Sequence, residues 1–383
     1  MVAASLIFAV AACSPDIPYS YSADYSTAMD RLRPLAKIEG AQVPTEINRD
    51  LQIYDFTPAI EYVDATESYA FFVWQNGTII AEHYREPGHP DLRSESASMH
   101  KSFLGLLVAT ALADGTFPSV ETPIGTYIAE WSGDPRGDIP LDAFLTMSTG
   151  LDPLSPISDE DDGISDAFRF VLGGDDAETL MLNQQISTAP FTRFHYQNTA
   201  TQILVRALEA ATGERYEDLA SKRIWQVIGA DTAHVWRTSK RGRPRGYTAL
   251  LARAEDWLRL GILIAQEGRW EDKQLIPPDI LSEFLSPSPA NPNYARQIWR
   301  ANPYAPKRYY NSQEAGPSFS AAQPYLYDDL VFFDGFGGQR VYISPGQDLV
   351  IVRLGTNRFD WDDSALPNLV YEILNSESGA RNE

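Results

Sequence analysis

The chain of 383 residues is poor in sulfur, with one cysteine, Cys13, and five methionines. A lone cysteine excludes intramolecular disulfides, CxxC redox pairs and cysteine-rich zinc or iron–sulfur sites. Histidine is scarce as well, with five residues and no HExxH or comparable His/Asp/Glu grouping, so neither a metal nor another cofactor is expected. Lysine and arginine total 31 against 52 aspartates and glutamates, a formal charge of -21. Phosphate backbones are bound by clustered basic side chains, so general nucleic-acid binding is not expected. Beyond the first residues, no apolar run approaches the roughly 20 residues of a membrane-spanning helix. What remains is a globular composition, 44% hydrophobic and 22% charged, with 26 Pro and 25 Gly spread as turns.

The apolar stretch at the start, VAASLIFAVAA over residues 2–12, is too short to span a bilayer and suits the core of an export signal. Val10-Ala11-Ala12-Cys13 resembles a lipobox, although no Lys or Arg precedes the run. That resemblance implies a signal over 1–13, a lipid on Cys13, and a bacterial cell-envelope protein touching the membrane through this anchor alone. A frayed apolar end with an incidental cysteine is the plain alternative. Residues 14–44 are polar and interrupted by Pro15, Pro18 and Pro34, which reads as a tether to a folded part over 45–375. Residues 376–383 read as a flexible tail.

Residues 68–85, SYAFFVWQNGTIIAEHYR, place two strand-like runs around Asn76-Gly77, a pair suited to a two-residue hairpin turn. SASMHKSFLGLLVATALADG (96–115) reads as a helix that Gly115 can end. The middle is mostly helical; its acidic stretch, SDEDDGISD at 158–166, reads as a solvated loop without the ligand spacing of a calcium loop. GGQRVYISPGQDLVIVRLG (337–355) reads as a second hairpin, followed by a closing helix. The expectation is an α/β (α+β) fold. An antiparallel β-sheet flanked by helices would come from about 45–110 and 240–375, with a mainly helical insertion over about 111–239.

Ser98-Met99-His100-Lys101 carries the chemistry. On a helix, residues i and i+3 share a face, so the Ser98 hydroxyl and Lys101 amine can meet. A serine needs a base within hydrogen-bond reach, and a desolvated lysine has the lowered pKa that serves. Around it, Leu145-Thr146-Met147-Ser148-Thr149-Gly150-Leu151, Tyr196-Gln197-Asn198 and Gly335-Phe336-Gly337-Gly338-Gln339 follow in order. With these landmarks, residues 45 to 375 resemble the serine β-lactamase and penicillin-binding superfamily, in its class C-like branch. That resemblance implies Ser98 as acylated nucleophile, Lys101 as its activator and Tyr196 as a shared proton relay. It further implies that Asn198 orients Lys101 and contacts substrate, and that backbone N–H groups of Ser98 and Phe336 form the oxyanion hole. Which of Lys101 and Tyr196 is the principal base stays open.

Where relatives carry Lys-Thr-Gly or His-x-Gly, this chain has Phe333-Asp334-Gly335. The missing cation and the nearby Asp334 point away from an anionic substrate and toward neutral or cationic esters and linear amides. The GFGGQ form is most similar to 6-aminohexanoate-dimer hydrolases, with Asp334 and Gly335 expected beside the substrate. β-Lactamase or D-amino-acid peptidase activity, and a non-catalytic envelope binding protein on the same fold, are the competing readings. Read without the family, Ser98 is a helix cap, Lys101 a solvated amine, and His100 and His195 packing residues. The aromatics Trp299, Tyr309, Tyr325 and Tyr327 read as cleft lining or as core; Arg296, Arg300, Lys307 and Arg308 read as an anion site or as ion partners.

Overall fold

The computed structural model describes residues 34–156, 165–172 and 176–376. Cys13, the expected signal, most of the expected tether, the acidic stretch up to residue 164 and the tail beyond 376 lie outside the described residues.

Two sheets organise the chain. The larger contains β2 (Asn48–Arg49), β3 (Ser68–Gln75), β4 (Thr78–Tyr84), β8 (Trp299–Arg300), β11 (Val331–Gly335), β12 (Gln339–Ser344) and β13 (Leu349–Gly355). Its order is β8-β11-β12-β13-β3-β4-β2, antiparallel except for the parallel β2–β4 pair. The smaller contains β1 (Leu35–Ile38), β5 (Ser94–Glu95), β6 (Ala233–Trp236) and β7 (Leu250–Ala252), in the order β1-β6-β7-β5. A separate ribbon pairs β9 (Lys307–Tyr309) with β10 (Ser318–Ser320).

Both expected hairpins form. Asn76 and Gly77 take φ of 47° and 85°, the left-handed backbone that the tight turn between β3 and β4 requires. Asp348, at φ 47°, closes the turn between β12 and β13 after Pro345. Two strands lie where none was expected. Ala233–Trp236 falls within the span read as helical insertion, and Leu35–Ile38 within the span read as tether. They pair with each other, Leu35 opposite Trp236 through Ile38 opposite Ala233, and bury Ala36 and Ile38. Four residues beside prolines carry too little periodicity to read as a strand when the partner is remote in sequence.

Helix α1 (Thr57–Ala65) packs on β3, and α6 (Ala365–Asn375) packs on α1. Helix α5 (Ala254–Ala265) crosses β12, β13 and β3, where Gly261 leaves room for Val350 and Val341. Alternation then divides the central strands: Phe333, Val341 and Val352 line up toward α5, while Asp334, Arg340 and Arg353 form a row on the other face. Helix α2 (Met99–Ala113) is surrounded, every residue from Met99 to Ala111 being buried, which explains an apolar run without a polar side. Helix α4 (Asn198–Thr212) packs against α2 and against α3 (Leu141–Leu145). Among the described residues no helix is long and apolar enough to cross a membrane.

Candidate active site

Strand β5 turns sharply into α2 through Ala97, a non-glycine residue at φ 48°. Such backbone is strained by the Cβ and persists where surrounding packing holds it, as it does here with Ala97 7% exposed. The turn sets Ser98, half-buried, at the start of α2, where backbone N–H groups have no intrahelical partner. The Ser98 side chain makes no capping hydrogen bond. Its hydroxyl is left for other use.

Lys101 lies one turn on and is 1% exposed. In its charged form the amine donates to Ser98 Oγ at 3.0 Å and to the Tyr247 carbonyl at 2.9 Å. Burial lowers its pKa to about 7, against the pull of Asp334 and Glu95, which favour the ammonium from beyond ion-pair distance. Near pH 7 a large fraction of Lys101 is therefore the free amine, able to take a proton. Its nitrogen lies 4.7 Å from the centroid of the Tyr196 ring. The Tyr196 phenol shifts the other way: burial pushes its pKa well up, Asp334 adds to this, and Ser98 as a hydrogen-bonding partner opposes it. The pair rests as an amine poised to accept a proton and a phenol that keeps its own.

Tyr196 is anchored by its N–H, which donates to the Tyr310 carbonyl at 2.9 Å, and by aromatic contacts with Tyr310 (5.0 Å), Trp299 (5.8 Å) and Tyr294 (6.1 Å). Trp299 thus packs under Tyr196 as a buried ring. Tyr327 is core against Tyr371, Tyr309 and Tyr325 are half-buried, and Tyr310, which sequence reading passed over, is the closer neighbour. Asn198 opens α4, half-buried. It makes no hydrogen bond to Lys101, whose second acceptor is the backbone of Tyr247; a carbonyl oxygen leaves no signature in the sequence.

Gly335 ends β11 against the start of α2. A Cβ there would sit 2.6 Å from the Ser96 carbonyl oxygen and 3.1 Å from Met99, so only glycine permits this approach. Strand β8 pairs with β11 only at Phe332 and Val331, which leaves the Asp334–Gly335 end of the strand facing α2. Phe336 follows Gly335 in the chain, its ring half-buried against exposed Phe359.

Asp334 departs from expectation. It is 2% exposed, and its carboxylate accepts from Tyr310 Oη at 2.9 Å and Arg308 at 3.2 Å and pairs with Arg340 at 2.6 Å. Burial alone would raise its pKa, but Arg308 and Arg340 overcome this and hold it below the ordinary carboxylate value. A buried carboxylate needs such partners, so Asp334 offers no free charge to a substrate. Gly337 and Gly338, at φ 76° and 88°, make the tight turn that sets Arg340 opposite Asp334. Reading GFGGQ as a hairpin would have exposed that pairing. Phe333, in the position of the missing cation, packs toward Trp257. Arg308 is an ion partner, as is Arg296, which pairs with Asp142 at 2.6 Å. Among the described residues no group of three or more His, Cys, Asp or Glu can hold a metal.

Residues 59–374 match the beta-lactamase family model. A 6-aminohexanoate-dimer hydrolase of Paenarthrobacter ureafaciens is 23% identical over 305 residues, covering 77% of this chain and 73% of its own. A Bacillus anthracis protein provisionally assigned as a 6-aminohexanoate-dimer hydrolase superimposes with a TM-score of 0.72 at 20% identity, over 93% of each chain. A hydrolase with promiscuous acyltransferase activity superimposes at 0.58 and 13% identity, over 82% of this chain and 97% of that one. The likeness of the solved structures extends to the whole fold, with the antiparallel sheet and flanking helices expected from the sequence.

Proposed function

The chain belongs to the beta-lactamase family, and from that premise we propose that it is a serine hydrolase cleaving esters or linear amides through an acyl-enzyme on Ser98. The observation that carries this reading is Lys101 Nζ, buried and 3.0 Å from Ser98 Oγ, with a pKa lowered to about 7. The neutral amine takes the Ser98 proton as Oγ bonds to the acyl carbon. The oxyanion that forms lies between the N–H groups of Ser98 and Phe336. Tyr196, still protonated, gives its proton to the leaving oxygen or nitrogen, and the Lys101 ammonium beside its ring restores it. Water then attacks the acyl-enzyme by the same steps in reverse. Lys101 is the base in this scheme and Tyr196 the relay, an assignment supported by the opposite directions of their shifts.

The relative from Paenarthrobacter ureafaciens is named as a hydrolase of the 6-aminohexanoate dimer, which favours linear amides and related esters as the substrate class here. Phe333 in place of a cation supports a substrate without a carboxylate at that position. Asp334 does not act on the substrate's charge, since Arg308 and Arg340 neutralise it.

A fluorophosphonate probe should add one phosphonyl group to Ser98, read by mass spectrometry. Ser98→Ala should abolish both labelling and p-nitrophenyl ester hydrolysis while changing stability by less than about 1 kcal/mol. Unchanged hydrolysis in that variant rejects Ser98 as nucleophile, and a β-lactam turned over faster than any linear ester or amide rejects the substrate class.

A further inference from the structure

His100 sits between the proposed nucleophile and base, fully buried, and the scheme above gives it no part. Its ring stacks on Phe103 at 6.1 Å and meets Tyr216 at 5.7 Å. Both nitrogens are engaged: Nδ1 lies 3.0 Å from the Thr248 carbonyl oxygen and Nε2 2.8 Å from Tyr216 Oη. A carbonyl only accepts, so the Nδ1 side carries the hydrogen, and Nε2 accepts from the tyrosine hydroxyl. Burial lowers the pKa of His100 to about 4 despite the Thr248 bond, with Lys101 pushing the same way, so the ring is neutral at working pH. Neither nitrogen is left to exchange a proton with substrate.

Thr248 follows Tyr247, whose carbonyl holds Lys101. Two successive carbonyls of one segment therefore face successive residues of α2: Tyr247 to Lys101 and Thr248 to His100. That presentation depends on Ala249 at φ 56°, a strained backbone that needs fastening from outside. Glu95 supplies one fastening, its Oε1 accepting from Ala249 N–H at 2.6 Å and from Thr248 Oγ1 at 3.1 Å. Gln202 supplies another through Gly246 N–H at 3.2 Å. His100 fastens the same Thr248–Ala249 peptide group at its carbonyl end, and does so from the helix that carries Lys101.

We propose that His100, clamped between Tyr216 and Thr248, is a positioning residue that keeps the Tyr247 carbonyl on the Lys101 amine. The proposal rests on the hydrolase reading for its effect on rate, and on geometry alone for its effect on Lys101. Losing the Tyr247 acceptor removes a partner that favours the ammonium, so the Lys101 pKa falls further. The other charged or titratable groups facing Lys101, namely Asp334 on β11, Glu95 on β5, and the rings of Tyr196 and Tyr247, are unchanged by substitution at position 100.

Two amides dissect the ring. An Asn side chain places its NH2 near the Nδ1 position and keeps the Thr248 bond; Gln places its amide near Nε2 and keeps only Tyr216. His100→Gln should slow ester hydrolysis roughly ten- to hundredfold and move the acid limb of kcat/KM to lower pH. His100→Asn should keep the wild-type limb and most of the rate. A purely structural role would lower thermal stability in both variants and move neither limb. A folded His100→Gln protein with the wild-type pH profile, or equal displacement of the limb in Asn and Gln variants, overturns the proposal. Should His100→Gln not fold, His100→Phe decides: it keeps the ring packing on Phe103 and loses the Thr248 bond, so a limb moved to lower pH supports the clamp and a wild-type limb overturns it. Following the Lys101 Cε resonance by NMR titration reads the clamp without turnover. Absence of hydrolysis in the wild type, with the Lys101 titration displaced in His100→Gln, would count against the hydrolase reading and for the clamp.

Discussion

Lys101 and the pair Arg308 and Arg340 are all buried cations close to Asp334; burial opposes the charge of each, yet their pKa values move in opposite directions. Arg308 pairs with Asp334 at 3.2 Å and Asp363 at 2.9 Å; Arg340 pairs with the same carboxylates at 2.6 Å and 2.7 Å. The four charges close on themselves with no net charge, and aromatic faces surround Arg308, Trp299 lying 4.2 Å from its guanidinium carbon. Burial opposes the charge of Arg340, but Asp334 and Asp363 outweigh it and its pKa rises. Lys101 has only neutral acceptors, a hydroxyl and a carbonyl, and its pKa falls to about 7. Burial therefore does not make a side chain reactive by itself. What separates the two regions is the counter-ion: the arginines keep their charge beside two carboxylates, while Lys101, without one, gives up its proton easily.

Lys101→Met breaks the comparison on the reactive side. Ester hydrolysis should fall by about 10²- to 10⁴-fold, while the thermal midpoint holds or rises, because an unpaired buried amine has gone. Below pH 7 folded and unfolded chains both hold the Lys101 proton, and the full penalty of burying it is felt. Between about 7 and the ordinary value of 10.5 the unfolded chain binds more protons, so wild-type stability increases with pH. The stability advantage of Lys101→Met should accordingly shrink as pH climbs from 7 to 10 in denaturant titrations; an advantage that grows would contradict this picture.

Asp334→Ala breaks the scaffold side. Leaving Arg308 and Arg340 with one carboxylate between them should cost about 3–5 kcal/mol in chemical denaturation, and a loss under about 1 kcal/mol would show that the cluster is not closed. Tyr310→Phe sharpens the boundary between the two regions, since its hydroxyl bonds Asp334 while its ring packs on Tyr196. Removing the hydroxyl alone should cost about 1–2 kcal/mol and change kcat by a few-fold at most. A larger fall in kcat than in stability would place Tyr310 with the reactive group rather than the scaffold.

The reactive side was the more legible in sequence. Ser98 and Lys101 are three residues apart on one helix, and helical geometry is local enough to be read from spacing. Asn76-Gly77 and Pro345-Gly346 announce their hairpins because the turn itself restricts the residue types. The scaffold side joins Arg308, Asp334, Arg340 and Asp363 from separate segments, so its pairings depend on a register that only the fold establishes. Asp334 consequently read as a free acidic group beside the substrate. The Tyr247 carbonyl was invisible for another reason, being backbone that any residue type supplies, and β1 was lost among prolines.

The enclosure of α2 also bears on how the protein comes apart. A helix buried from Met99 to Ala111 has no exposed flank from which to fray, and its amide hydrogens can reach solvent only when neighbouring elements leave as well. Ser98 and Lys101 therefore keep their register for as long as the elements packed around α2 stay in place.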